Sequence, residues 1–231
     1  MFEEYWLFAS ERVVPGLNAA LLVSARLIVP SALYGALLGI LTGVLRVYGP
    51  RPVRRVADAY VSLFRGTPLV VQLYFWYFAL PYIRVGGHAI VLDAMQASIL
   101  GFALCSAAYQ SEYIRGGLLS IKAGQIKAAR ALGMNPMQTV LHVVLPQAVR
   151  RALPGCGNEV VYLIKYSSLA SIITVNELTG TARSIAKATF RPIEAYATVA
   201  VYYLVLVTLA VWFLRWLEDR MSIPGFERPR D

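Results

Sequence analysis

The sequence predicts an all-α integral membrane protein with about five transmembrane helices and a cytosolic helix-turn-helix segment. Of its 231 residues, 58% are hydrophobic and only 15% are charged, and the mean hydropathy is +0.56. This composition is too apolar for a soluble domain of that length. Five apolar stretches are long enough to cross a bilayer, and basic residues are concentrated on one side of them. We therefore predict a single transmembrane domain over residues 1–231.

Each predicted span is a run of about 20 predominantly apolar residues, the length that a helix needs to cross about 30 Å of hydrocarbon. These runs lack the alternation of barrel strands, and backbone groups within lipid must pair inside their own segment. Helices are therefore expected. The approximate spans are 17–45, 56–80, 90–109, 153–175 and 193–216.

The first predicted span is unusually long and contains Pro30, followed by Gly35, Gly39 and Gly43. Proline favours a kink, and glycines four residues apart share a helical face on which a second helix can approach closely. Glycine is also tolerated in membrane helices without any packing role. The sequence leaves both interpretations open.

Basic residues are distributed unequally between the two sides of the predicted membrane. With the N-terminus outside, fourteen of the 22 Lys and Arg residues fall in the cytoplasmic segments 46–55, 115–151 and 215–230, and five fall on the opposite side. Because cytoplasmic loops carry an excess of basic residues, we predict that the C-terminus is in the cytosol. This topology accounts for the net charge of +9, so no nucleic-acid partner is expected.

The sequence shows no motif for covalent, nucleotide or metal chemistry. A phosphate-binding P-loop needs Gly-Lys followed by Ser or Thr, and no Lys of this chain precedes either residue. Cys105 and Cys156 lie in apolar runs and are expected to be small buried hydrophobic residues. We predict no catalytic residue, no metal and no cofactor in the chain, so any pumping would use a separate ATPase. Residues 1–11 lack the features of a removable signal peptide.

The cytosolic segment 115–151 is predicted to contain two helices separated by a break. Ala128 and Ala129 favour the first helix and let another backbone approach closely. Gly133 suits the left-handed conformation that ends many helices. The first helix is therefore expected to stop at this glycine.

The second cytosolic helix is predicted to begin at Asn135, a good N-cap, with Pro136 as its first helical residue. It is expected to close at Leu145–Pro146. Two other structures would have the same pattern: a surface hairpin that binds no partner, and a helix-turn-helix that binds DNA. A hairpin tethered between membrane spans, however, cannot easily enter a DNA groove.

This segment resembles the EAA coupling loop of the membrane subunits of ABC importers. The family pattern is Glu-Ala-Ala, three residues, Gly, nine residues, Ile, one residue and Leu-Pro, and this chain matches its spacing with Val143 in place of Ile. Lys127 stands where the family prefers Glu, so an ion pair made by that carboxylate would be absent or reversed. The residues that the resemblance implies for coupling to an ATPase are Lys127, Ala128, Ala129, Gly133, Leu145 and Pro146.

Three further segments, 64–72, 108–117 and 157–169, resemble the polar amino-acid branch of these importer permeases. The resemblance covers about 17–216. It implies a permease subunit of the bacterial inner membrane and a second permease subunit, either a copy or a different chain. It also implies ATP-binding cassette subunits that bind ATP and Mg, and an external solute-binding protein that delivers an amino acid. Alternating access would then follow ATP binding and hydrolysis.

Polar residues inside the predicted spans are candidate contacts for the solute, because they are costly in lipid unless they are paired or face a wet cavity. Arg65 adjoins a Gly-Thr-Pro break that would free backbone groups to line a pathway. The fourth predicted span carries several polar residues near one helical face. The predicted pathway residues are Arg65, Thr67, Gln72, Asn158, Glu159, Lys165 and Ser168.

The sequence leaves other interpretations open. Arg65 could instead pair with Glu112 or Glu159, and Lys165 and Glu159 could serve only to hold subunits together. Tyr166 stands where many relatives have Asp, which favours neutral or acidic amino acids over a strongly cationic solute. For the whole chain, the alternatives are an ABC permease for another small solute, a secondary transporter or channel, and a membrane scaffold.

Overall fold

The computed structural model describes residues 2–221 as an assembly of helices, which confirms the predicted all-α class. Short π-helical segments occupy Ala9–Val13, Phe75–Ala79 and Val140–Val144, and 3₁₀ segments occupy Leu80–Tyr82 and Ser167–Ile173. The two-residue strands β1 (Arg84–Val85) and β2 (His88–Ala89) form one antiparallel ladder. The α-helices are α1 (Phe2–Phe8), α2 (Val14–Tyr48), α3 (Arg51–Gly66), α4 (Leu69–Tyr74), α5 (Ala94–Leu119), α6 (Ala123–Ala131), α7 (Pro136–Thr139), α8 (Leu145–Tyr166), α9 (Leu178–Thr189) and α10 (Pro192–Met221).

Within residues 2–221, two continuous helices are both long and apolar enough to cross a membrane. They are Glu4–Tyr48, which contains the first predicted span, and Pro192–Met221, which contains the last. The apolar helix Leu69–Tyr82 is shorter. Five spans and a single domain over 1–231 therefore stay predictions. Arg228 and Arg230, which contributed to the predicted orientation, lie outside the described residues.

The second predicted span, 56–80, is not one helix. Helix α3 ends at Gly66, Thr67 and Pro68 have extended backbone, and α4 begins at Leu69. Proline has no backbone N–H, and it biases the preceding residue towards an extended conformation. The break that the Gly-Thr-Pro sequence predicts is therefore present, and it divides the span into two helices.

The third predicted span, 90–109, begins and ends earlier in the sequence than the observed helix, α5. Helix α5 begins only at Ala94, because Asp93 and Gln96 form a capping box in which each side chain accepts a backbone N–H. It then continues to Leu119, well beyond the predicted end. Hydropathy identifies only the apolar part of this helix. The helical hydrogen bonds continue beyond it, through the more polar residues 110–119.

The prediction that the second cytosolic helix closes at Leu145–Pro146 is wrong. The backbone stays helical from α7 through the π-helical segment into α8, which ends only at Tyr166. The N–H of Leu145 donates to Val140 O, five residues back. A proline within a helix removes a hydrogen bond and crowds the carbonyl four residues before it, and a π-bulge changes the local register at such a point.

Helices α2 and α5 pack closely through small residues. A Cβ atom on Gly39 would lie 2.8 Å from Gln110 Cβ, and one on Gly43 would lie 2.9 Å from Ile114 Cβ. These distances are shorter than normal carbon contacts. The interpretation that the glycines of the first span form a packing face is therefore confirmed for Gly39 and Gly43.

A hydrophobic core joins the inner faces of α2, α4, α5 and α8. Leu27, Leu73, Phe102 and Leu163 are almost completely buried in it. Many large apolar side chains on the outer faces are exposed, as Trp212 is by 71%. Exposed apolar surface on this scale is expected where lipid or another membrane subunit replaces water.

Candidate translocation and coupling site

The side chain of Gln72 forms hydrogen bonds across the break between α3 and α4. Phe64 O lacks its usual helical donor because residue 68 is proline, and Gln72 Nε2 donates to this oxygen at 2.9 Å. The same nitrogen donates to Thr67 O at 3.1 Å and to Thr67 Oγ1 at 2.9 Å. Gln72 is 8% exposed. Its amide nitrogen therefore pairs with two backbone carbonyl oxygens at the break, those of Phe64 and Thr67.

A cavity of about 400 Å³ lies beside this break. Its walls come from the ends of α3 and α4, from α5 and from the end of α8, so three predicted spans meet there. Polar groups share the cavity with apolar ones, as expected for a solute site that fixes orientation with a few polar contacts. The lining residues are Arg65, Gly66, Thr67, Pro68, Leu69, Cys105, Tyr109 and Tyr166.

Arg65 is the charged side chain of this cavity. Its guanidinium carbon lies 5.2 Å from the centre of the Tyr109 ring, and Nη1 lies 2.9 Å from Glu112 Oε1. The predicted alternative that Arg65 pairs with Glu112 is therefore observed. The side chain is 41% exposed, so the pairing leaves part of the guanidinium accessible.

Glu112 is the centre of an ion-pair network at the junction of α2, α3 and α5. Arg46 Nη2 donates to Oε1 at 3.0 Å, and Arg115 donates to Oε2 from Nε at 3.0 Å and from Nη2 at 2.9 Å. Arg46 Nε also donates to Asp58 Oδ1 at 2.6 Å. Sequence reasoning missed the pairing of Arg46, in the last turn of α2, with Asp58, in the middle of α3. The opposite charges of these two residues on successive helices were the available signal.

The polar residues of α8 do not all converge on the cavity. Lys165 Nζ lies 4.3 Å from the centre of the Tyr162 ring, and the Tyr162 and Tyr166 rings stack with their centres 5.7 Å apart. Ser168 Oγ donates to Lys165 O at 2.8 Å. Of this group, Tyr166 alone is among the described residues that line the cavity.

Asn158 and Glu159 have contrasting environments. Asn158 is exposed, whereas Glu159 is 4% exposed. Among residues 2–221, no ion pair joins Glu159 to Lys165 or to Arg65. The structure thus brings Arg65 and Thr67 together at the cavity and leaves Asn158, Glu159, Lys165 and Ser168 outside its lining.

The predicted hairpin is present as α6, a turn and α7. Gly133 has φ of 82°, in the left-handed region that glycine adopts without strain. Asn135 caps α7 by accepting from the N–H of Gln138, whose side chain accepts the N–H of Asn135. Ala129 is buried, whereas Lys127 and Ala128 are exposed. The prediction that the first helix stops at the glycine and the second begins at Asn135 is confirmed.

A small hydrophobic cluster of Leu118, Ile121, Val144 and Ala148 joins the hairpin to the ends of α5 and α8. On its outer side the hairpin has an open hollow of about 350 Å³. The side chains of Leu132 and Met137 are 81% and 67% exposed. The hollow is lined by Leu132, Gly133, Met134, Gln138 and His142.

Comparison with known protein families identifies the chain. Residues 35–223 match the family described as the binding-protein-dependent transport system inner membrane component. The chain belongs to this family. The match covers the α3–α4 break, the cavity and the hairpin. It establishes the chain as an inner membrane permease component, in agreement with the resemblance seen in the sequence.

Curated relatives match over most of their length. The nopaline transport system permease protein NocM of Agrobacterium fabrum is 39% identical over 219 residues, covering 90% of each chain. The glutamine transport system permease protein GlnP of Escherichia coli is 39% identical over 189 residues, covering 82% of this chain and 85% of GlnP. The L-cystine transport system permease protein TcyL of Bacillus subtilis is 33% identical over 211 residues.

Solved structures show the same fold. The structure of an amino acid ABC transporter with histidines matches with a TM-score of 0.84 and 31% sequence identity. The match covers 92% of this chain and 97% of that one. The MetNI methionine ABC transporter in an inward facing conformation matches with a TM-score of 0.75 and 24% identity, which supports the fold alone.

Proposed function

We propose that the chain is the permease subunit of an ATP-driven importer that moves polar amino acids into the cytosol. The relatives named above, which match 82% to 90% of this chain, are permeases for nopaline, glutamine and cystine, all of them amino acids or their derivatives. That agreement among relatives is the observation that carries the proposal. In this protein two helices, α5 and α8, connect the hairpin to the cavity.

The hairpin is the proposed contact with the ATPase. Its exposed apolar side chains and its open hollow suit a docking surface, and Gly133 lets the chain turn tightly there. Lys127 and Ala128 are exposed beside this surface. Leu145 and Pro146 are the first residues of α8, which continues directly from the hairpin, so they would transmit its movement. ATP and Mg would bind to the separate ATPase.

The cavity beside the α3–α4 break is the proposed amino-acid site. Arg65 offers a cation to the solute carboxylate, and Tyr166 offers a hydroxyl group. The hydroxyl of Thr67 already donates to Leu63 O, so it can only accept a further hydrogen bond. Its lining contains no Asp or Glu among the described residues, which suits a neutral or acidic amino acid better than a cationic one. Gln72 would support this site through the break. Asn158, Glu159, Lys165 and Ser168 would serve other parts of the pathway.

The proposed assembly contains two permease subunits, ATP-binding cassette subunits in the cytosol and an external solute-binding protein. The permease lies in the bacterial inner membrane with its N-terminus outside and its C-terminus in the cytosol. If the second permease subunit is a copy of this chain, Lys127 occurs twice on the cytosolic face. If it is a different chain, Lys127 occurs once.

The experiment is an uptake assay with the whole importer. The permease is reconstituted in liposomes with its ATPase and binding protein, and uptake of each of the twenty common L-amino acids is measured with and without ATP. We expect ATP-dependent accumulation of a small set of polar amino acids. Uptake driven by an ion gradient without the ATPase would instead show a secondary transporter, and no uptake of any amino acid would reject the proposal.

A matched pair of variants tests the coupling surface. Gly133→Val places a β-branched residue where φ is 82° and should uncouple ATP hydrolysis from uptake. Gly124→Val lies in α6, where an added Cβ meets nothing within 4 Å, and should retain far more uptake. Equal uptake by the two variants would contradict the assignment of the hairpin turn to coupling.

A further inference from the structure

The ion-pair network around Glu112 has an excess of positive charge. Within the described chain, it contains the guanidiniums of Arg46, Arg65 and Arg115 but only the carboxylates of Asp58 and Glu112. An arginine stays charged under all ordinary conditions. The network is therefore one negative charge short of neutrality, and an added carboxylate would complete it.

Arg65 is the cation of this network that an added carboxylate can reach. Its side chain is 41% exposed and lines the cavity, whereas that of Arg46 is 9% exposed. Arg115 is also partly exposed, at 39%, but it holds Glu112 Oε2 with two nitrogen atoms and does not line this cavity. The geometry thus directs an incoming anion to Arg65.

Among the ion pairs of this network, the one between Arg65 and Glu112 can be broken at the lowest cost in free energy. Arg65 contacts Oε1 through a single nitrogen, and that oxygen also accepts from Arg46 at 3.0 Å. If Arg65 leaves, Glu112 still has Arg46 and Arg115 as partners. Partly exposed ion pairs are weak, whereas an unpaired buried charge is costly. Exchange at Arg65 therefore leaves no charge of the network without a partner.

We propose that Glu112 acts as an internal substitute for the solute, holding Arg65 until the α-carboxylate of an amino acid enters the cavity and takes its place. This inference rests on the proposed function. Glu112 is thus a positioning residue: it keeps the guanidinium beside Tyr109, competes with the solute for it, and releases it on binding. The exchange changes an ion pair of Glu112, which lies on α5 six residues before Leu118 of the hairpin cluster.

The test is equilibrium binding to the detergent-solubilised complex of permease and ATPase, without the binding protein. The probe is the tritiated L-amino acid with the highest uptake in the screen, and the competitor is its α-carboxamide, which lacks the negative charge. The wild-type complex should bind the amino acid about tenfold more tightly than the carboxamide, the size expected for one hydrogen-bonded charge pair.

Glu112→Gln removes the competing charge from Arg65, so the amino acid should bind about fivefold to tenfold more tightly than to wild type. Arg65→Gln should weaken amino-acid binding about tenfold and abolish the preference over the carboxamide. Glu11→Gln is the matched control, because it makes the same change at an exposed carboxylate that takes part in no ion pair of this network. It should keep the wild-type affinity and preference.

Tighter binding in the Glu112→Gln variant is a result that loss of a purely structural residue would not produce. Unchanged or weaker binding by a correctly assembled Glu112→Gln complex would overturn the inference. If that variant fails to assemble, Arg65→Gln tests the inference instead. The Arg65 side chain is partly exposed, so its replacement leaves the other ion pairs of the network intact. Retention of the carboxylate preference by Arg65→Gln would equally overturn it. Lack of uptake of every amino acid by wild type would reject the proposed function and this inference with it.

Discussion

Gly39→Ala should destabilise the protein through one contact between α2 and α5. The new Cβ would lie 2.8 Å from Gln110 Cβ and 3.2 Å from Ala107 O. A helix backbone holds Ala107 O, and Gln110 is 2% exposed and donates from Nε2 to Ser106 Oγ. Neither atom can move freely, so the helices must separate by several tenths of an ångström.

Overpacking of this kind costs about 1–3 kcal/mol. The helix propensity of alanine over glycine returns roughly 1 kcal/mol, so the expected net loss is up to about 2 kcal/mol. For a chain of this size, such a loss lowers the unfolding temperature by up to roughly 8 °C. The measurement is thermal unfolding of the purified permease in detergent, followed by the labelling of Cys105 and Cys156 with a thiol-reactive dye.

Gly116→Ala is the matched control on the partner helix. An added Cβ at Gly116 meets nothing within 4 Å, so this variant should gain the helix propensity without the clash. We expect it to unfold at the wild-type temperature or slightly above. If the two variants shift the unfolding temperature equally, the small residues of α2 are not a packing face, and the reasoning from contact distance fails.

Three further changes test the α3–α4 break, the left-handed turn and the cap of α7. Gln72→Leu leaves Phe64 O without its donor, so thermal unfolding should show a loss of about 1–3 kcal/mol, whereas the equally conservative Gln96→Leu at an exposed cap should cost less. Gly133→Ala forces a side chain to φ of 82° and should cost roughly 1–2 kcal/mol, which unfolding in denaturant would measure. Asn135→Ala removes the side-chain oxygen that accepts the Gln138 N–H and should cost about 1 kcal/mol; a negligible effect would show that this cap is not formed.

The sequence was sufficient where one residue type has few conformational options. The stop at Gly133, the cap at Asn135 and the break before Pro68 were all predictable, because each follows from the φ preference of glycine, a short polar side chain or a missing N–H. The small-residue face of α2 was also visible as a spacing, although only the structure shows that Gln110 and Ile114 are what it meets.

Features that depend on contacts between distant residues were mostly not predictable, although the sequence offered Glu112 as one of two possible partners of Arg65. Glu112 could be assigned to Arg115 by spacing, but its contact with Arg46 joins residues 66 positions apart. The error at Leu145–Pro146 had a related origin. Proline was taken as a helix end, whereas a π-helical segment accommodates it when the flanking helix packs against neighbours such as Leu118.

Helix α5 explains how events at the cavity and at the hairpin can depend on each other. It carries Cys105 and Tyr109 in the cavity wall, Glu112 in the ion-pair network and Leu118 in the hairpin cluster. From Cys105 to Leu118 the helix rises by roughly 20 Å without interruption. Its close contact with the glycines of α2 resists bending there, so a displacement at one end is carried to the other as movement of a rigid element. Coupling between sites requires an element that both sites can bias. Helix α5 contacts both, as does α8 through Ala148 and Tyr166.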